Sequence, residues 1–153
     1  MNAAEKNFPT PPSSPAWIDI AKNVFENQAS RWDQSACGGG LRRQIYTSNQ
    51  GYDYKNAISQ ATFFLLAARL AKYTNNGTYV VWANKVYDWT AKVGLIDDSF
   101  RVFDGATTTE SCGTISRLQW TYNAAAFMYG SAVMYDHVRS PWSRQPALLE
   151  ANL

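Results

Sequence analysis

The sequence predicts an all-α fold, and two observations carry that prediction. Apolar residues recur every three or four positions in four long segments, which is the period of one helix face. Between those segments lie two long connections, about residues 33–54 and 95–120, that are rich in glycine and polar residues. At 153 residues, the chain has the size of one domain or of a piece of a larger one.

The first two predicted helices differ in how much of their surface is apolar. Ser14-Pro15 is a typical helix start, and apolar residues follow at helical spacing as far as Trp32. The second predicted helix runs from about Lys55 to Tyr73 and carries small or apolar residues on both sides. We therefore expect the second helix to be buried nearly all round.

The last two predicted helices repeat that difference. One begins at Thr78 as the N-cap and ends at Gly94, with a single apolar stripe, and the other runs from about Thr121 to Met134 with small and aromatic residues. The alternation predicts inner and outer helices of a layered α/α array. Three or four helices do not close such an array, so the chain forms either a small bundle or part of a toroid.

Composition narrows the class of partner. Lys plus Arg is 14 and Asp plus Glu is 12, so the net charge of +2 gives no basic surface for nucleic acid. The longest apolar stretch, Phe63 to Ala68, is far shorter than the roughly 20 residues of a membrane span. Aromatic residues make up 14% of the chain, and their faces stack on sugar rings as well as on each other in a core. Carbohydrate is thus favoured over nucleic acid as a ligand class, although most individual rings are expected to pack in the core.

Features of an exported protein conflict with the termini. Cys37 and Cys112 form either two buried thiols or one disulfide, and Asn76-Gly77-Thr78 is an N-glycosylation sequon. The first residues lack the apolar segment of a signal peptide, and the last residues lack the apolar tail of a lipid-anchor signal.

Two polar clusters open the buried helices. Gly51 to Asn56 leads into the second predicted helix, and Gln119 to Asn123 leads into the fourth. Each combines aromatic rings with an amide, which predicts one shared ligand face, although an Asp/Asn capping arrangement is the alternative for the first cluster. The run from Cys37 to Arg42 allows close backbone approach, and short strands are expected at Arg43–Tyr46 and Arg101–Phe103.

Other candidate catalytic groups are few. His137 is the only histidine, so multi-histidine metal sites have little support, and we expect no metal or other cofactor. We expect His137 at the surface. The adjacent carboxylates Asp97 and Asp98 are expected to form a solvated turn and not a catalytic pair.

The motifs taken in order resemble the fungal cell-wall members of glycoside hydrolase family 76, mannan endo-1,6-α-mannosidases and related mannosyl transglycosylases. The resemblance covers about residues 3–137 and rests on these segments: Cys37-Gly-Gly-Gly-Leu-Arg42, Gly51-Tyr-Asp-Tyr-Lys-Asn56, Leu66-Ala-Ala-Arg-Leu70 and Gln119-Trp-Thr-Tyr-Asn123. It implies a partial (α/α)6 barrel whose groove binds α-1,6-linked mannan.

The resemblance also implies site residues. The substrate-binding positions it marks are Gly39, Gly40, Arg42, Tyr54, Lys55, Asn56, Trp120, Tyr122 and Asn123. It pairs Cys37 with Cys112, and it implies glycosylation at Asn76 and an extracellular location at the cell wall or plasma membrane.

The chain departs from the family at the catalytic motif. In the family, two adjacent aspartates act as nucleophile and acid in a retaining mechanism, and they precede the segment that resembles residues 3–9. We therefore expect residues 1–138 to be an inactive fragment of the catalytic domain, followed by an unrelated tail at 139–153. The alternatives are a non-catalytic mannan-binding remnant and a fragment that does not fold alone.

Overall fold

The computed structural model describes residues 1–139 and consists mainly of helices. In chain order, the elements are α1 (Asn2–Glu5), α2 (Trp17–Ser30), β1 (Tyr54–Asn56), α3 (Ala57–Thr74), α4 (Gly77–Lys92), β2 (Gly105–Thr107), β3 (Ile115–Ser116) and α5 (Thr121–Arg139). The four long helices confirm the predicted segments. The tail expected from residue 139 lies outside the described residues, except for Arg139 itself.

Helices α3 and α5 form an inner layer and run in the same direction. Phe64 of α3 stacks on Phe127 of α5, with 5.8 Å between ring centroids, and Lys72 pairs with Asp136 further along. Residues later in α3 therefore contact residues later in α5, which shows that the two helices are parallel. Gly130 allows this close approach, because a Cβ there would lie 2.5 Å from the Phe64 ring.

Helices α2 and α4 form the outer layer. α4 begins after a connection of only two residues and packs back on α3, so the two helices run in opposite directions. α2 runs alongside α4, since Phe25 packs on Tyr79 and Trp32 packs on Trp89. Aromatic rings from both layers fill the space between them, at centroid distances of 4.7–6.4 Å: Phe25, Trp32, Phe63, Tyr79, Trp82 and Trp89. Many of the aromatic residues are thus core residues. The expected difference between amphipathic outer helices and a helix buried nearly all round is confirmed for α3, whereas α5 is buried only on the side that faces α3.

Burial of α3 follows from its small side chains. Nine of its residues are buried, five of them alanines, and only Thr62, Lys72 and Tyr73 are exposed. The far side of α5 is different, since Met128, Tyr129 and Tyr135 are exposed there. Within residues 1–139, no helix is long and apolar enough to cross a bilayer.

The strands lie elsewhere than predicted. β1 pairs antiparallel with β2, and β2 pairs antiparallel with β3. Residues 43–46 form no strand, since Ile45 and Tyr46 are 58% and 68% exposed and have no sheet face to cover them. In the second predicted segment, only Val102 forms an isolated bridge, with Ile96.

Two further expectations were wrong. The N-cap of α4 is Asn76 and not Thr78, because the Asn76 Oδ1 accepts a hydrogen bond of 2.9 Å from the Thr78 N–H. His137 is buried at 7% exposure, because α5 continues past Met134 and places His137 on the face that packs against α3.

The predicted end of α4 at Gly94 is confirmed by the left-handed backbone there, with φ at +83°.

Candidate functional site

The N-terminal ends of α3 and α5 lie at the same end of the molecule, because the two helices are parallel. The two long connections meet there, since β1 closes the first and leads directly into α3, and β2 and β3 lie in the second. This N-terminal face brings together both predicted polar clusters.

Gly39 and Gly40 are buried under two indole rings. A Cβ on Gly40 would lie 2.4 Å from the Trp89 ring, and one on Gly39 would lie 2.8 Å from the Trp32 ring. Their φ angles of +149° and +93° also favour glycine. The Trp89 Nε1 donates to the Cys37 carbonyl over 2.9 Å. The close approach predicted for this run is therefore to the protein's own tryptophans.

We expect Gly40→Ala to lower the free energy of unfolding by about 3 kcal/mol, because the new methyl group needs both a strained backbone and a displaced Trp89 ring. Gly38→Ala is the matched control. Gly38 has φ at +65° but open space around its Cβ, so only about 1 kcal/mol of backbone strain is expected. Urea unfolding of both variants measures the difference, and equal losses would contradict the packing role.

Lys55 is fully buried and holds the first connection in place. Its Nζ donates to the carbonyls of Asp33, Ala36 and Gly39 over 2.9, 2.7 and 2.6 Å. These acceptors match the three protons of an ammonium group. The Asp33 Oδ2 lies 3.1 Å away and supplies the counter-charge. Burial lowers the pKa of Lys55, and the hydrogen bond to Asp33 opposes that shift.

Asp33 links Lys55 to Arg42. The Arg42 Nε donates to Asp33 Oδ2 over 2.8 Å. The Arg42 Nη1 donates to the Tyr52 carbonyl and to the Thr108 hydroxyl. Burial tends to raise the pKa of Asp33, but hydrogen bonds from Ser35 and Lys55 outweigh it and lower that pKa to about 2. Arg42 lies partly exposed over the Tyr52 ring, on the wall of a cleft of about 260 Å³.

The disulfide between Cys37 and Cys112 is confirmed, with the Cα atoms 5.6 Å apart. It joins the two long connections across 75 residues of sequence. The glycine turn and the disulfide therefore both constrain the same segment, residues 33–42.

Tyr54 lines a second, more open cleft of about 640 Å³ at the start of α3. Its hydroxyl donates to Asp104 Oδ2 over 2.8 Å, and Arg43 and Asp53 line the same cleft. Burial and the hydrogen bond to Asp104 raise the pKa of Tyr54 to about 12. This cleft thus presents a phenol, two carboxylates and a guanidinium, all able to bond hydroxyl groups.

Trp120 and Tyr122 form an exposed aromatic pair at the start of α5. Their rings stack at 6.2 Å with 13° between their planes, and they are 45% and 52% exposed. A flat, exposed pair of this kind is suited to the apolar face of a sugar ring.

Two amides at this face have buried atoms that make no hydrogen bond within the described part of the chain. Asn123 is 1% exposed, and neither its Oδ1 nor its Nδ2 has a hydrogen bond among the described residues. The Asn56 Oδ1 is also buried and unpaired in residues 1–139. Unpaired buried polar atoms are costly, so a ligand or another segment is expected to satisfy them.

The predicted site residues therefore fall into two groups. Four are internal and shape the face, and five retain exposed surface. The internal ones are Gly39, Gly40, Lys55 and Asn123, and the others are Arg42, Tyr54, Asn56, Trp120 and Tyr122.

Three contributing residues were not predicted. Asp33 and Asp104 each accept a hydrogen bond from a predicted residue, and Gln60 bonds both the N–H and the carbonyl of Leu41. Asp33 closely precedes the glycine run and Asp104 precedes Gly105, which is the only local signal of either.

The adjacent carboxylates Asp97 and Asp98 lie in a turn. Asp97 accepts from the backbone of Ser99 and Arg101 and from the Arg101 side chain, which confirms the expected turn at Asp97-Asp98. Within residues 1–139, no three His, Cys, Asp or Glu side chains cluster in a way that could hold a metal ion.

Parallel inner helices and outer helices that run opposite to them define part of an α/α barrel, and the predicted site residues lie at the N-terminal ends of the inner helices. Residues 1–145 match the family described as glycosyl hydrolase family 76, to which the chain therefore belongs.

Curated relatives agree with that assignment. The chain is 48% identical over 143 residues to the mannan endo-1,6-α-mannosidase DCW1 of Saccharomyces cerevisiae, covering 92% of this chain and 32% of that protein. It is 46% identical over 157 residues to DCW1 of Candida glabrata, covering 99% of this chain and 35% of that protein. The chain thus spans about a third of the length of these relatives.

Solved structures match the same part of the fold. Dfg5 from Chaetomium thermophilum, in complex with glucosamine, superposes with a TM-score of 0.86 at 45% identity, covering 90% of this chain and 34% of that one. An inactive variant of a Salegentibacter α-1,6-mannanase, in complex with α-1,6-mannotetrose, gives 0.68 at 23% identity, covering 82% and 36%. The latter shows the fold alone. The predicted partial α/α barrel is confirmed.

Proposed function

We propose that residues 1–139 form one wall of the substrate groove of an endo-1,6-α-mannosidase or mannosyl transglycosylase, and that they bind α-1,6-linked mannan. The observation that carries the proposal is the exposed Trp120–Tyr122 pair, on the same face as the polar cleft beside Tyr54. Rings that stack on a sugar and polar side chains that bond its hydroxyls are complementary parts of a carbohydrate site.

The relatives support the substrate class. DCW1 is named for endo-1,6-α-mannosidase activity, Dfg5 was solved with an amino sugar, and the Salegentibacter enzyme was solved with an α-1,6-linked mannotetraose. A linear α-1,6 chain exposes the faces of successive rings, so an aromatic pair and the cleft beside Tyr54 provide two kinds of contact along one groove.

The proposed chemistry is retaining and uses two carboxylates. One attacks the anomeric carbon to give a covalent glycosyl intermediate, and the other protonates the leaving oxygen and later activates water or an acceptor sugar. We assign neither role within residues 1–139, where Asp33, Asp97 and Asp104 are each engaged in local hydrogen bonds. Residues 1–139 would orient the sugar chain, and other carboxylates would act on the bond that is cleaved.

A non-catalytic mannan-binding unit is the second candidate function. The hydrogen bonds that Asp33, Asp97 and Asp104 make within the protein favour this binding function for the chain. The two candidates share one binding surface and differ only in turnover, so the chain is expected to bind α-1,6-mannan without releasing new reducing ends. Release above the buffer background by the purified chain would contradict that expectation.

We expect Trp120→Ala and Tyr122→Ala each to weaken binding of α-1,6-mannotetraose about tenfold, since one lost stacking contact costs about 1.4 kcal/mol. Titration calorimetry measures the dissociation constants. Tyr135→Ala is the matched control, because Tyr135 is 62% exposed on the same helix but about 20 Å further along it. If all three variants bind like the parent chain, the aromatic pair is not the sugar platform.

A further inference from the structure

We infer that a cleft at the end of α2 binds a phosphate group, either free or carried by a sugar, through Arg31 and Arg42. This arginine cleft has a volume of about 260 Å³, and its lining includes both arginines, Gln44 and a single carboxylate, Asp33. It is separate from the cleft beside Tyr54, whose lining residues are all different. The inference therefore does not depend on the proposed binding of mannan.

Arg42 brings a guanidinium group to the cleft in a fixed position. Its Nε donates to Asp33, and its Nη1 donates to the Tyr52 carbonyl and the Thr108 hydroxyl. The group also lies over the Tyr52 ring, 4.5 Å from the ring centroid. No hydrogen bond within residues 1–139 uses the Arg42 Nη2, so its two N–H groups remain available to the oxygens of a ligand.

Arg31 supplies a second guanidinium group with few internal partners. It is the C-cap residue of α2, and its Nη1 donates to the Asn27 Oδ1 over 3.4 Å. In the described part of the chain, no carboxylate forms an ion pair with it. Arginine is the side chain best suited to phosphate, because its planar fork can bond two oxygens at once.

The charges around the arginine cleft leave a positive excess. Arg42 and Lys55 both lie beside the same Asp33 oxygen, at 2.8 and 3.1 Å. The other Asp33 oxygen accepts from the backbone N–H and the hydroxyl of Ser35, so both oxygens are engaged. Arg31 adds a third cation, whereas the end of α2 adds only about half a negative charge. A phosphate ester, with a charge of about −1.5 to −2 at neutral pH, would compensate this excess.

Neutral donors accompany the two arginines. The backbone N–H groups of Gln44 and Ile45 make no hydrogen bond within residues 1–139. The Gln44 Oε1 accepts from Asn49 over 3.4 Å, which leaves the Gln44 Nε2 as a further donor. Donors from separate parts of the chain suit a phosphate, because its three terminal oxygens point in different directions, whereas the two oxygens of a carboxylate lie in one plane.

The test is titration calorimetry of the full chain at neutral pH with mannose 6-phosphate, inorganic phosphate and mannose. We expect both phosphates to bind more tightly than mannose. Tighter binding of mannose 6-phosphate than of inorganic phosphate would identify a phosphorylated sugar as the ligand, and equal affinities would identify free phosphate. Binding of both phosphates no tighter than that of mannose would overturn the inference.

Arg31→Gln tests the position of the phosphate. We expect it to weaken the binding of mannose 6-phosphate about tenfold, because a hydrogen bond between charged groups is lost. Lys22→Gln is the matched control, since it removes the same charge from α2 but lies about 13 Å away along the helix. An equal loss in both variants would show general electrostatic attraction and would contradict a site at Arg31.

Gln44→Glu tests the same cleft without removing an arginine. Glutamate keeps the size of the side chain and an acceptor for Asn49, but it places a negative charge in the lining. We expect it to weaken the binding of mannose 6-phosphate at least about tenfold, while the urea midpoint stays that of the parent chain. Undiminished binding by this variant would place the phosphate outside the arginine cleft.

Discussion

Replacing Lys55 by methionine is expected to lower the free energy of unfolding by about 3–5 kcal/mol, the cost of removing one partner from a buried charge network. Methionine fills a similar volume but donates no hydrogen bond. The carbonyls of Ala36 and Gly39 would lose their 2.7 and 2.6 Å bonds, and Asp33 would keep only Arg42 as a charged partner. Urea unfolding, followed by tryptophan fluorescence, measures the loss.

Lys72→Met provides the matched control. Lys72 also pairs with an aspartate, Asp136, but the two side chains are 52% and 65% exposed, and such surface pairs contribute about 0–1 kcal/mol. A loss at Lys55 no larger than the loss at Lys72 would show that the first connection does not depend on the buried ammonium.

Removing the disulfide is expected to destabilise the chain by about 4 kcal/mol. Cys37 and Cys112 close a loop of 75 residues, and the chain-entropy model gives that value for a loop of this length. The variant Cys37→Ser/Cys112→Ser should unfold at a correspondingly lower urea concentration than the oxidised wild type.

Reduction of the wild-type chain is the internal control for that variant. Dithiothreitol should shift the wild-type urea midpoint toward that of the double-serine variant and leave the variant itself unchanged. An identical midpoint for the oxidised and reduced wild type would contradict the loop-closure argument.

The helices could be predicted from the sequence because their signals are local. The step of three or four residues in α3 reports its buried faces directly, and Gly94 marks the end of α4 by its backbone freedom. The surface position predicted for His137 was wrong because the predicted helix stopped at Met134. In the structure, α5 packs on α3 as far as His137.

The site was only partly predictable because its geometry depends on distant segments. Lys55 looked like a polar residue at a helix start, and nothing in its neighbours shows that three carbonyls from residues 33–39 converge on it. The strands at Tyr54–Asn56 and Gly105–Thr107 are likewise defined by pairing across about 50 residues. The exposed aromatics at Trp120 and Tyr122 were found because their motif is contiguous.

The anchoring of the first connection has a consequence for how tightly a ligand can be held. Lys55 and Gln60 bind the two ends of the segment from Asp33 to Leu41, and Trp89 and Cys112 both hold Cys37 between them. Arg42, which follows directly, is therefore ordered before any ligand arrives. A preorganised surface loses little conformational entropy on association, so more of the contact energy remains as affinity.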